Sequence, residues 1–186
     1  GVKGFILAQV ASLGTDIVQV EVKIPNTTST SNENATSRAQ GTQITTLTVK
    51  DSVAIKKLPN VAGVYAGTIG QERATYGSVG KRISLFGTGP DVALVDANAK
   101  LESGRFFTEE EDNSLAKVVV LGSETKETFF GESDALGEFI TLKGEKYRVI
   151  GVLASRGAVA FLNFDTFTYV PVQTIKKKLL GVDYVQ

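Results

Sequence analysis

Hydrophobic positions recur along this chain with two different periods, and the switches between them mark out its elements. Val2, Phe5, Ile6, Val10 and Leu13 fall on one stripe of a helix, and Gly14 stands where a helix C-terminus takes a left-handed residue. In the next stretch, DIVQVEVKI, the period changes. Val18, Val20, Val22 and Ile24 alternate with Gln19, Glu21 and Lys23, which predicts a strand with one buried face. From Pro25 to Thr46 Asn, Ser and Thr dominate and apolar positions nearly vanish, so a long mobile loop is expected. LTVKDSVAIKKLP then predicts a capped helix. Thr48 is its N-cap with Asp51 three residues on, Ala54, Ile55 and Leu58 share a face, and Pro59 ends it. Strands are expected around 61–68, 73–78 and 82–86, punctuated by glycines.

After GTGPD a second series begins. KVVVLG predicts a short buried strand, and SETKETFFG a helix opened by Ser123. EFITLKGEKYRVIGVLAS predicts a hairpin turning at Lys143-Gly144-Glu145, and TFTYVPV a further strand. QTIKKKLLG predicts a closing helix with Ile175 and Leu179 inward, its lysines outward, and Gly181 as its stop. Short mixed elements joined by many turns give an α+β fold class.

Composition narrows the functions open to this pattern. The 186 residues suffice for one ordinary domain or two small ones, and a 42% hydrophobic fraction supports a core. Lys plus Arg and Asp plus Glu number 20 each, so the basic excess of a nucleic-acid binder is missing. The sequence has no Cys and no His, which closes the common zinc sites and the Ser-His-Asp and Cys-His arrangements. Carboxylate, Lys or Tyr chemistry is what remains. A chain without Met is expected to be an excised or processed piece, and no apolar run approaches the ~20 residues that span a bilayer.

The candidate chemistry centres on LESGRFFTEEEDN, with four consecutive acids from Glu109 to Asp112. Thr108 with Glu111 three residues later is a capping box, and acids in a first turn face the positive end of the helix dipole. A calcium loop needs acids at alternate positions with a Gly bend, so no metal site is expected here. Arg105 reads as a local salt-bridge and packing residue. YGSVGKR lacks the phosphate loop's first Gly and following Ser or Thr, since Thr75 and Arg82 stand there. GTGPDV lacks the third Gly of a dinucleotide fingerprint. Asn26 and Asn34 lie in glycosylation sequons, and Lys176 to Lys178 read as the solvated end of a helix. No catalytic, cofactor-binding or metal residue is therefore assigned. Residues 158–164 resist a structural reading, because they are apolar without a clean period inside a Gly-flanked loop. Phe161, Leu162 and Phe164 either close the core or, exposed, form a partner contact.

ILAQVASLGTDIVQVEV, LTVKDSVAIKKLPNVAGV, LESGRFFTEEED, KVVVLGSETKETFFG, DALGEFITLKGEKYRVIGVL and YVPVQTIKKKLLG occur in the order of one domain. Together they resemble the extracytoplasmic (periplasmic core) domain of MacB-type ABC transporter permeases, of the MacB/FtsX-like family, over nearly the whole chain except Pro25 to Thr46. The resemblance implies a porter-like α/β subdomain with a second small mixed α/β subdomain, called Sabre, inserted. Residues 1–15 would be a stalk helix continuing a membrane helix. Residues 16–86 plus 173–186 would be the porter-like part, expected to continue past Gln186, and 87–172 the Sabre-like part. It further implies a cell-membrane protein with this domain on the extracytoplasmic side, coupling ATP hydrolysis on another domain or chain to movement outside the membrane. The implied partners are a second permease copy, an ATP-binding subunit or domain, and a membrane-fusion adaptor or substrate protein, with no cofactor of its own.

Two other classes compete with that reading. One is a hydrolase using carboxylates among Glu109 to Asp112 with Asp91 or Asp96; the other is a freestanding adhesin-like binding module. The missing phosphate loop and nucleophile arrangements predict that the isolated chain does not hydrolyse ATP. Turnover in the pure chain, abolished by changing one of its own residues, would contradict this.

Overall fold

The fold is described from a computed structural model, for residues 17, 18, 20, 47–159 and 162–181. The expected N-terminal helix and the loop from Pro25 to Thr46 lie outside these residues. Of the expected strand after Gly14, the described Val18 and Val20 are exposed and not in a strand. Helix α1 spans Val49–Lys56, and Thr48 and Asp51 form the expected capping box. None of its residues is buried, and Leu58 lies beyond its end, exposed. At its start Val49 packs against the small cluster of Ala66 and Val172, while Val53 and Leu58 stay exposed.

The three strands expected between 61 and 86 are one long antiparallel hairpin, β1 (Gly67–Tyr76) and β2 (Val79–Thr88). A two-residue Gly77-Ser78 turn joins them, and Gly77 takes the positive φ of 55° that such a turn requires. Then come a short helix α2 (Val92–Val95), strand β3 (Leu101–Gly104), helix α3 (Glu109–Asn113), strand β4 (Val118–Leu121) and helix α4 (Ser123–Phe130). Strands β5 (Phe139–Leu142) and β6 (Glu145–Leu153) form the expected hairpin. Its turn is Lys143-Gly144, both with positive φ, and Glu145 already belongs to β6. A two-residue ladder of β7 (Ala158–Val159) and β8 (Leu162–Asn163) precedes a 3₁₀ turn at Phe164–Thr166 and strand β9 (Phe167–Pro171). Helix α5 (Val172–Thr174) continues as a π-helical turn, Ile175–Leu180, stopped by a left-handed Gly181. No helix among the described residues is long and apolar enough to cross a membrane.

Seven strands make one mixed sheet in the order β3-β6-β4-β9-β2-β1-β5, and β5 also pairs with β6. Six strands thus close a ring, with β3 attached outside it beside β6. Strands β2 and β9 run parallel, as do β4 and β6; the other pairs are antiparallel. Hairpin β1–β2, which spans residue 87, shares this sheet with β4, β6 and β9, so residues on both sides of that position form one sheet.

Alternation sorts the side chains to two faces. Val119 and Leu121 of β4 join Ile83, Leu85, Ile140, Leu142, Tyr147 and Val149 in the main core, covered by Phe129 and Phe130 of α4. Val118 and Val120 face the other way, into a second cluster with Phe107, Leu153, Phe167 and Tyr169. There Phe86 meets Tyr169 edge-on, with ring centroids 5.4 Å apart. A register shift opposite Val119 and Val120 moves β6 by one residue, so Val149 and then Val152 both reach the main core. Gly87 is required by the closing helix, because a Cβ there would collide with Ile175.

The acidic run begins a helical turn, as expected. Thr108 Oγ1 accepts from Glu111 N–H at 3.2 Å, and Glu111 accepts in return from Thr108 N–H at 2.9 Å. Arg105 closes on Glu111 with two bonds of 2.7 and 2.8 Å, and that partner holds the Glu111 carboxyl below its ordinary range. Asp112 has a second role, because its carboxylate accepts from Gln173 N–H at 2.9 Å and so caps the first turn of α5. Burial pushes the Asp112 carboxyl up, against the lowering effect of that bond. The closing helix departs from expectation at one lysine. Ile175 and Leu179 are buried as foreseen and Lys177 is exposed, but Lys176 is buried too, since a π-helical turn does not keep the spacing that set the lysines on one outer face.

Removing the Thr108 hydroxyl is expected to cost about 1 kcal/mol, the usual value of an N-cap. Urea unfolding of Thr108→Ala measures it. A chelator is expected to leave the wild-type melting temperature unchanged, and a large drop would contradict a purely structural role for the acidic run.

Candidate functional site

The segment that resisted a structural reading is held at its base by a cluster of hydrogen bonds around one carboxylate. Strands β7 and β8 pair through Ala158 with Asn163 and Val159 with Leu162, forming a minimal hairpin. Its base is organised by Asp165, which is buried. One Asp165 oxygen accepts from Arg156 N–H at 2.9 Å, and the other from Ser155 Oγ at 2.7 Å and Gly157 N–H at 2.9 Å. Burial raises the pKa of this carboxyl, but the bonds from the Arg156 amide, the Ser155 hydroxyl and the Gly157 amide outweigh it and hold the group below its ordinary range. Asn163 Oδ1 accepts from Asp165 N–H at 3.1 Å, and Asn163 Nδ2 donates to Glu124 of α4 at 2.8 Å.

Arg156 ties that base to the rest of the fold. Its Nη1 donates to Asp96, just beyond α2, at 2.7 Å, and both side chains are buried, 7% and 8% exposed. The guanidinium lies 4.0 Å from the centre of the Phe164 ring, an arrangement that favours a desolvated cation. Its Nε and Nη2 find no acceptor among the described residues, and neither does the buried hydroxyl of Tyr169. Burial pushes the Tyr169 hydroxyl far up. At the opposite end of α2, Asp91 meets Lys56 of α1 at 2.9 Å and accepts from Val64 N–H at 3.2 Å. Helix α2 therefore carries a carboxylate at each end, one toward α1 and one toward the hairpin base.

Of the three residues proposed for partner contact, Phe164 is half-buried at this base, packed on Phe167 with ring centroids 5.9 Å apart. Leu162 contributes its backbone to the ladder, and its side chain, like all of Phe161, lies outside what is described. The structure thus brings Phe164 to the foot of the hairpin, where Asp165, Arg156 and Asp96 meet. Arg156 and Asp165 are not candidates in the sequence reading, and Asp96 enters it only as a carboxylate of the alternative hydrolase. The signal was in SRGAVAFLNFDTF, where an Arg and an Asp bracket the apolar run, but their joining is a tertiary event.

Four carboxylates of the alternative site are taken up by other partners. Asp91 faces Lys56, Asp96 faces Arg156, Glu111 faces Arg105 and Asp112 caps α5. Among the described residues no group of three acids is placed to hold a metal ion.

The family model described as the MacB-like periplasmic core domain matches residues 1–185. The macrolide export ATP-binding/permease protein MacB of Wolinella succinogenes is 33% identical over 187 residues, covering 100% of this chain and 27% of that protein. The chain thus spans about a quarter of that relative's length. The crystal structure of the periplasmic region of MacB from Actinobacillus actinomycetemcomitans superposes with a TM-score of 0.69 at 24% identity, covering 82% of this chain and 66% of that one. The extracellular domain of the noncanonic ABC-type transporter YknZ from Gram-positive bacteria gives 0.62 at 24% identity, covering 75% and 69%. The last two likenesses establish the fold.

The buried pair generates a direct test. Arg156→Met leaves Asp96 buried without its partner and is expected to destabilise the chain by about 3–5 kcal/mol. Pairing it with Asp96→Leu removes both charges and is expected to restore most of that loss. Urea unfolding of the wild type, both single variants and the double variant measures the cycle, and strict additivity would contradict the coupling.

Proposed function

The chain belongs to the family of MacB-like periplasmic core domains, and on that premise we propose that it passes ATP-driven motion of an ABC transporter permease to a protein outside the membrane. The observation that carries this is the family match over residues 1–185. In this reading the nucleotide is hydrolysed on a separate domain or chain. Support comes from the name of the Wolinella relative, an ATP-binding/permease protein of which this chain covers 27%, and from the missing phosphate loop.

The working unit is two permease copies, each placing this domain on the extracytoplasmic side against a membrane-fusion adaptor or a substrate protein. Residues 1–15 serve as stalk, 16–86 with 173–186 as porter-like part, and 87–172 as Sabre-like part. The contact is formed by Phe161, Leu162 and Phe164, with Leu162 in the β7–β8 ladder and Phe164 at its foot. A relay needs a projection that does not fold back under load, and the Asp165 and Arg156 bonds at the foot of this hairpin support that role.

Phe161→Ser with Leu162→Ser is the test. The double variant is expected to melt within about 2–4 °C of wild type, as surface substitutions do. Transport by the assembled protein is expected to be lost. Unfolding of the variant, or transport at the wild-type rate, would overturn the assignment.

A further inference from the structure

Strand β2 is paired along its whole length on one side only. Strand β1 accompanies it from Val79 to Thr88, whereas β9 covers its other edge only from Ser84 to Thr88. Among the described residues, Val79 to Ile83 therefore have no partner strand on that second edge. An open edge presents a row of backbone donors and acceptors ready to pair with another extended segment. Here the edge is sheltered. Residues Lys81 to Ser84 line a groove of about 190 Å³ whose other wall is α4, with Glu124 and Thr128, and Thr166.

The charges in and around the groove point to its occupant. Lys81 and Arg82 are exposed, and no ion pair or side-chain hydrogen bond among the described residues reaches either one. Arg82 stands directly across the ladder from Arg73, also exposed and outside every ion pair of the described residues. Like charges opposed on one sheet face repel, so the hairpin carries an unfavourable pair that a carboxylate would relieve. Glu124, the one acid among the lining residues, is engaged by Asn163 Nδ2. The hydroxyls of Ser84, Thr128 and Thr166 supply further polar wall.

We infer that this groove binds an extended, acidic peptide segment of a partner protein, which continues the line of β9 by pairing with the β2 backbone and sets one carboxylate on each of its faces, against Lys81 on one and Arg82 on the other. Main-chain pairing supplies affinity and the cations select the side chains. The site is not part of the β7–β8 ladder, although it adjoins the foot of that hairpin through Glu124 and Thr166, and it does not depend on the transporter reading.

The test uses isotope-labelled 186-residue chain and a short capped peptide with two adjacent Glu flanked on each side by Val, so that each face of the strand carries one carboxylate. Saturable amide shifts are expected at Lys81 to Ser84 and Thr128, with slowed hydrogen exchange along the same edge. The Lys81→Gln, Arg82→Gln variant is expected to bind roughly tenfold more weakly with a melting temperature unchanged or slightly raised, because both side chains are exposed and the change relieves the repulsion from Arg73. The same peptide with Lys in place of both Glu, and the acidic peptide N-methylated along its backbone, are expected not to bind. Absence of shifts at the edge overturns the inference and leaves Lys81 and Arg82 as guards against edge-to-edge aggregation. Equal binding of the N-methylated peptide, or the same shifts with citrate, also overturns it, because the groove would then be an anion site without strand pairing.

Discussion

A guanidinium removed from water must keep a counter-charge, and in this molecule that requirement falls on Arg156. Its side chain is 7% exposed, and Asp96, sixty residues away in sequence, answers it at 2.7 Å. Desolvating each ion costs several kcal/mol, so the pair does more to fix geometry than to stabilise the fold. Once it forms, the end of α2, the foot of the β7–β8 hairpin and the Phe164 ring are held in one place. The neighbouring Asp165 then gathers the Ser155, Arg156 and Gly157 donors around itself, and the short loop from Ser155 to Thr166 has little freedom left. The other end of α2 reaches α1 through Asp91 and Lys56. The latter pair is more exposed and contributes correspondingly less.

The sheet gives this polar knot something rigid to hold. Every residue of β9 is buried, because it runs between β4 and β2 with apolar clusters on both faces. Closure of the six-strand ring rests on only two residue pairs between β1 and β5, Ala74 with Leu142 and Thr75 with Thr141. The packing inside compensates: Ala74, Leu142, Ile140 and Tyr147 are fully buried in the main core. Tyr147 accepts a cost for its place, since its hydroxyl is buried without a partner among the described residues and burial pushes its pKa up to about 12.

Much of this was legible in local pattern. The β5–β6 hairpin, the buried strands β4 and β9, helix α4 and the Thr108–Glu111 box follow from spacing and turn chemistry within a dozen residues. Where the reading slipped, the deciding forces were not local. Glycines at 70, 77 and 80 suggested breaks in β1 and β2, but only Gly77 turns; Gly70 and Gly80 sit within strands against the Leu180 and Arg73 side chains. Lys176 looked outward because an α-helical period was assumed for a segment that winds as a π-helical turn. Closure of the sheet, the capping of α5 by Asp112 and the Asp96–Arg156 pair join residues about sixty or more positions apart, and no short motif announces them. The partner segment was recognisable as unusual, but its foot could be described only once Arg156 and Asp165 were seen to converge on it.

For the chain to relay motion as proposed, the hairpin and the sheet must move as one body. The chain contains no Cys, so spin labels can be placed at Ala158 on the hairpin and at Glu127 on α4 without competing thiols. Pulsed dipolar spectroscopy on the assembled protein, with and without ATP turnover, then reads two distances: Ala158 to Glu127 within one copy, and Ala158 to Ala158 between copies. The account predicts that the first stays constant while the second changes with the nucleotide state. A first distance that shifts with ATP while the second stays fixed would contradict it.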